Sequence, residues 1–267
     1  MAWGSKLATI GISLICALEA LAAPLSSPLI AHEAVYDMTL KSAKPASGVL
    51  GAKGTMNYKF VDSCDGWVVE HRTTFSLSYN EGGEVETSWT MLSWEAKDGS
   101  NYRFRISNSR DGEAYEEIQG EAKIDRKTGI GQATFFKPEN ITITLPKGTV
   151  FPSQHSLALI IAANKGLRNA SHIVFDGIET KPPNEISSLI AVKKSDVETP
   201  FPMLQGLPSW MMQMAFFASD AAESTPEMEM SARYFDNGVV SDLIQSYGNF
   251  TIGAKLIKLE NLPKPDC

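Results

Sequence analysis

Trp67-Val68-Val69-Glu70-His71-Arg72-Thr73-Thr74-Phe75-Ser76-Leu77-Ser78-Tyr79 is the stretch that decides the fold. One face would carry Trp67, Val69, His71, Thr73, Phe75, Leu77 and Tyr79, the other Val68, Glu70, Arg72, Thr74, Ser76 and Ser78. A period of two is that of a strand with one side buried, because successive side chains point to opposite faces. The same alternation returns in Tyr102–Ile106, in Ile141–Leu145 and in Met228–Tyr234. Between such runs lie glycine-containing turn pairs: Asp65-Gly66, Gly82-Gly83, Asp98-Gly99, Asp111-Gly112, Lys147-Gly148, Asp176-Gly177 and Asn237-Gly238. Their spacing suits successive hairpins. The sequence therefore predicts an all-β fold, a many-stranded antiparallel meander whose sheet curls into a spiral or closes to hide its edges.

One short helix interrupts this pattern near residues 153–165. Ser153 is a candidate cap, His155, Leu157, Leu159, Ile160 and Ala163 make the apolar run, and Gly166 is placed to stop it. Trp210 to Phe217 fits either a strand or a helix, and strand is preferred because the next segment alternates too. Pro182-Pro183 and Pro200, Pro202 and Pro208 mark loops, without a shift in composition. Residues 23–267 are accordingly expected to form a single β-rich domain.

Residues 1–22 have the form of a secretory signal peptide. Lys6 supplies the basic start, Leu7 to Leu18 the short apolar run, and Ala20-Leu21-Ala22 the small-x-small cleavage pattern. An uncleaved N-terminal anchor is the competing account. The apolar run is short for a span, and no later stretch is apolar enough to cross a bilayer. Cleavage after Ala22 removes Cys16 and leaves two cysteines, Cys64 and Cys267, the second at the end of the sequence. An even pair in an oxidising compartment is usually bridged; two unpaired thiols are the alternative. A bridge would close a loop of roughly 200 residues, worth about 5 kcal/mol in the chain-entropy picture.

The chain has 24 basic and 31 acidic residues, a net charge of −7. Its basic residues are scattered, and where they are densest, at Lys123, Arg126 and Lys127, acidic ones sit close by. This argues against nucleic acid and against strong attraction to an anionic membrane. The four histidines, His32, His71, His155 and His172, lack metal-ligand spacing, and no serine-nucleophile elbow or glycine-rich phosphate loop is present. No catalytic residue, metal or cofactor is expected. His71 falls on the apolar face of its strand, where a buried, satisfied histidine is the simpler account. Trp210, Met212, Met214 and Phe216 form a candidate apolar ligand face, methionine being adaptable to varied apolar partners; ordinary core packing explains them more simply.

Several stretches, taken in order, resemble a known family. They are Ala31-His32-Glu33-Ala34-Val35-Tyr36-Asp37, Asp62-Ser63-Cys64-Asp65-Gly66 and Ser93-Trp94-Glu95-Ala96-Lys97-Asp98-Gly99. Then come Pro146-Lys147-Gly148-Thr149-Val150-Phe151-Pro152 with His155, Val174-Phe175-Asp176-Gly177, Asn237-Gly238-Val239, Tyr247-Gly248-Asn249-Phe250 and Cys267. Each motif alone is weak, whereas the ordered series covers nearly all of the mature chain. The chain resembles the EipB-like cell-envelope integrity family of alphaproteobacteria, formerly a domain of unknown function. That resemblance implies a periplasmic location, a spiral β-sheet, a Cys64–Cys267 disulfide and a role in envelope integrity without known catalysis. The spiral is similar in shape to the periplasmic lipoprotein carriers of the Lol system.

Three functions follow for test. The first is a non-enzymatic periplasmic protein that maintains envelope integrity by binding an envelope lipid, lipoprotein or periplasmic protein. The second is a lipid or lipoprotein carrier, which needs a concave apolar face. The third is a hydrolase of envelope polymer, which needs His71 or His155 clustered with carboxylates in one pocket.

Overall fold

The computed structural model describes residues 28–218 and 225–267; residues 1–22, expected to be a signal peptide, lie outside them. The described residues form fifteen strands of one sheet. The first eight are β1 (His32–Ala43), β2 (Val49–Asp62), β3 (Gly66–Tyr79), β4 (Glu84–Ala96), β5 (Asn101–Arg110), β6 (Glu113–Ile124), β7 (Gly131–Lys137) and β8 (Ile141–Leu145). After β9 (Thr149–Val150) comes the helix α1 (Pro152–Asn164), then β10 (Asn169–Val174) and β11 (Asn184–Ile190). The last are β12 (Ser209–Phe217), β13 (Met228–Phe235), β14 (Val240–Ser246) and β15 (Phe250–Asn261).

The sheet order is β8-β7-β6-β5-β4-β3-β2-β1-β15-β14-β13-β12-β11-β10-β9. The N-terminal strand β1 is thus interior, paired with β2 on one side and β15 on the other. The outermost strands, β8 and β9, are separated in sequence only by Pro146-Lys147-Gly148. The sheet curls into a nearly closed barrel, as the hairpin meander implied. Pairing is antiparallel except for β9 with β10. That exception follows from connectivity. A strand that returns beside its predecessor through a helix runs parallel to it, whereas a tight hairpin reverses direction.

Strand and helix expectations are met at Trp67–Tyr79 and near residues 153–165; Trp210 to Phe217 is a strand. The cap differs. Pro152 takes the first helical turn, Ser153 lies inside it, and Phe151 offers no capping side chain. Instead Glu95, from β4, accepts the N–H groups of Ser153 at 2.7 Å and Gln154 at 2.8 Å. A carboxylate suits this end because helix N-termini carry unsatisfied donors and partial positive charge. At the other end Gly166, at φ 76°, stops the helix as expected.

Packing shows how the two arms of the sheet meet. Strands β4 to β8 bury Met91, Phe104, Ile106, Ile118 and Phe135 together with Phe151 and Phe175, which flank the helix and follow β10. Helix α1 buries Leu159, Ala162 and Ala163 against β10 to β13, while Ile160 joins Leu29, Phe60 and Trp67 from the start of the chain. At one rim a disulfide joins Cys64, in the β2–β3 turn, to Cys267. The bridge therefore ties the segment after β15 across β1 to the turn after β2.

Candidate functional site

The curled sheet surrounds a cavity of about 620 Å³. Its walls follow from the period-two alternation. Tyr36 and Met38 on β1, Met56, Tyr58 and Phe60 on β2, and Val69, His71 and Thr73 on β3 all face inward. Register aligns them: Tyr36 pairs with Met56 and Met56 with Thr73, while Tyr58 pairs with His71 and His71 with Met91. Strand β4 contributes Trp89, Met91, Ser93 and Glu95. The opposite wall is Met228, Met230, Ala232 and Tyr234 on β13, and Val240, Leu243 and Gln245 on β14.

The odd step from Val240 to Leu243 has a backbone cause. Ala232 pairs with Leu243 but Tyr234 with Val240, so β14 carries one extra residue at this point. Such a bulge turns a strand's alternation over and re-aims the side chains beyond it. The Tyr36 hydroxyl donates to the Val240 carbonyl at 2.7 Å, tying β1 to the bulged strand.

Aromatic side chains line one flank. The His71 ring stands edge-on to Trp89, with centroids 4.5 Å apart, and meets Tyr58 at 5.8 Å. Its Nε2 is 3.1 Å from the Thr73 hydroxyl. Burial holds the His71 imidazole neutral, with its pKa lowered to about 4. His32 is likewise lowered by burial, against the raising effect of its Nδ1 contact with the Ile30 carbonyl.

The polar end of the cavity lies beside the start of α1. Glu95 is 2% exposed. Burial raises its carboxyl to about 7, while its bonds to Ser153 and Gln154 pull in the other direction. Asp176, in the loop after β10, is raised to about 6 by burial, offset in part by the Ile178 N–H bound to its Oδ1. Its backbone carbonyl accepts the Tyr102 hydroxyl at 3.0 Å. Gly177 holds this loop in place: at φ 71° it lies so close to the Phe104 ring that a Cβ would stand 2.7 Å from Cδ2.

The residues singled out from sequence are distributed as follows. Trp210, Met212 and Met214 are buried in the cluster beneath α1, with Phe216 packed against it, while the cavity wall beside them is built from β13 and β14. His155 is buried on α1, edge-on to His172 at 5.2 Å, and burial lowers its pKa to about 4. His71 shares the cavity with Glu95, but its strand partner is Met91, four positions from Glu95 along β4. That offset is about 13 Å. A histidine–carboxylate dyad for hydrolysis is not assembled from these two.

The fold is that of a curled β-sheet around a mainly apolar, partly open cavity, of a size found in small-molecule pockets. The chain belongs to the EipB-like family, whose profile matches residues 24–263. It is 30% identical over 239 residues to the cell envelope integrity protein EipB of Brucella abortus (strain 2308), covering 87% of this chain and 84% of that one. The crystal structure of a β-barrel-like protein of domain of unknown function DUF1849 from Brucella abortus superposes with a TM-score of 0.82 at 27% identity. That match covers 88% of this chain and 99% of the other. The chain is thus a homologue of a cell-envelope integrity protein. Among the described residues no helix is long and apolar enough to cross a membrane.

Proposed function

We propose that this protein is exported to the periplasm by cleavage after residue 22, and that the mature domain supports envelope integrity without catalysis by holding an apolar envelope component in its central cavity. The observation that carries this reading is the 620 Å³ chamber walled by β1 to β4, β13 and β14. A cavity of this size and lining falls in the range of small-molecule and lipid-like guests. The likeness to a cell envelope integrity protein supports the envelope role.

The test is native mass spectrometry of protein recovered from the periplasm, alongside complementation of a strain lacking the gene. Wild-type protein is expected to start near Ala23 and to carry an adduct of lipid-like mass. Thr73→Trp and Met230→Trp, which place an indole in the chamber, should lose the adduct and fail to complement the strain while remaining folded. Full rescue by both filled variants would overturn the proposal. The same cavity supports a second reading, a carrier that passes its guest on. Transfer of the adduct to acceptor vesicles within the time of a periplasmic turnover assay would favour that reading.

A further inference from the structure

The ionisable groups of the chamber are one-sided, beside neutral hydroxyls such as Ser93, Ser153 and Ser156. Among the described residues no lysine or arginine lines it. Lys97, two residues beyond Glu95, points to Asp62, with Nζ 2.6 Å from Oδ1, and lies over the Trp67 ring. The two histidines of the wall, His32 and His71, are kept neutral by burial. The charge-capable groups left are Glu95 and Asp176, and neither forms a salt bridge among the described residues. Each of their oxygens that takes one backbone N–H still has a second acceptor position. Near them the Asp176 carbonyl adds another acceptor. The polar end is thus rich in acceptors and short of cations, while the rest of the wall is aromatic and methionine-rich. At pH 8, above the raised values of both carboxyl groups, an anionic head group entering there would meet like charge in a poorly solvated space, which is unfavourable. A donor-bearing head would find partners.

Resting on the cavity reading above, we propose that the guest is a single-chain amphiphile whose head group carries N–H or O–H donors and no negative charge, seated against Asp176 and Glu95 with its chain along the β1–β4 wall. The selectivity comes from the head, since the wall itself accepts any chain of suitable length. Asp176 is the better group to perturb. Asparagine keeps the oxygen that accepts the Ile178 N–H and removes the charge, whereas any change at Glu95 also disturbs the cap of α1.

The experiment uses the mature protein at pH 8 with three probes of equal chain length: dodecylamine, monododecanoylglycerol and dodecanoate. Each is titrated against bound N-phenyl-1-naphthylamine, and displacement is read by fluorescence. The amine and the glyceride should displace the dye at concentrations at least tenfold lower than dodecanoate. Asp176→Asn should narrow the gap between amine and acid by about tenfold, chiefly by weakening the amine and admitting the acid. If dodecanoate competes as well as the other two, the head-group proposal fails and the cavity reading stands. A tenfold preference that Asp176→Asn and Glu95→Gln both leave unchanged would also overturn it, by placing the head elsewhere. If no probe binds and Thr73→Trp does not alter dye uptake, the cavity reading itself falls.

Discussion

Replacing Cys64 and Cys267 by serine tests how the domain is held together. The two residues are separated by 203 positions, and a cross-link over a loop of that length removes about 5 kcal/mol of chain entropy from the unfolded state. The folded side offsets part of this. Residues 262–267 have no regular structure, and their backbone is tied to the sheet by the Leu262 N–H to the Ala31 carbonyl. Once unbridged, that tail regains some freedom in the native protein, which lowers the net loss. Cys64 sits at φ 68°, a left-handed conformation that costs roughly 1–2 kcal/mol for a residue with a side chain. Serine inherits the same backbone, so this cost cancels between the proteins. The expected loss is about 2–5 kcal/mol, a fall in Tm of roughly 5–15 °C for a domain of this size. Thermal melts followed by far-ultraviolet circular dichroism would compare oxidised wild type, wild type in reductant and the double variant. The last two should coincide. A double variant melting within about 2 °C of oxidised wild type would refute the staple.

Removing the helix cap with Glu95→Ala leaves two backbone N–H groups without their acceptor. The expected cost is about 2–3 kcal/mol in urea unfolding at pH 8, and a cost below about 0.5 kcal/mol would show that water replaces the carboxylate. Glu95 and Asp176 have folded-state values raised to about 7 and 6. Their favourable contribution is therefore complete below their unfolded values and lost as pH rises through 6 and 7. His71 and His155, lowered to about 4, act in the opposite sense: their contribution is present above 6.5 and lost as pH falls towards 4. Urea melts between pH 5.5 and 8 should show the alkaline loss shrinking in Asp176→Asn, and an unchanged slope would remove Asp176 from this account. Gly177→Ala combines φ 71° with a Cβ 2.7 Å from the Phe104 ring and should lower stability by about 2–4 kcal/mol, measured by the same melts; a neutral effect would mean the loop can move off that ring.

The strands were legible because their information is local. Alternation at Trp67–Tyr79 and at Met228–Tyr234 marks an inward face whatever that face packs against, and Asp-Gly or Asn-Gly pairs mark hairpins by backbone geometry alone. The cavity was not legible, because its walls come from β1 to β4 and from β13 and β14, and no periodicity reports the distance between opposed walls. The assignment of Trp210, Met212 and Met214 shows the same limit. Their alternation located a buried face, and the position of α1 decided that the helix packs there. Glu95 left a trace that went unused. It continues the inward series Trp89, Met91, Ser93, where an acidic residue is out of place unless it has a partner. Its partner, the start of α1, lies 58 residues further along the chain, beyond the reach of any capping motif. Asp176 was hidden in a different way, since an Asp-Gly pair is sufficiently explained by a turn.

The sheet order has a consequence for folding as the chain emerges N-terminus first. Strand β1 is among the first parts of the domain to emerge, and its pairing with β2 is available early. Its other edge waits for residues 250–261, because β15 is the neighbour it needs. Throughout that interval the growing chain presents an open strand edge flanked by Tyr36 and Met38, the kind of edge on which unrelated chains pair. That edge is therefore exposed to aggregation until β15 arrives, and shielding residues 32–43 over that interval would protect it.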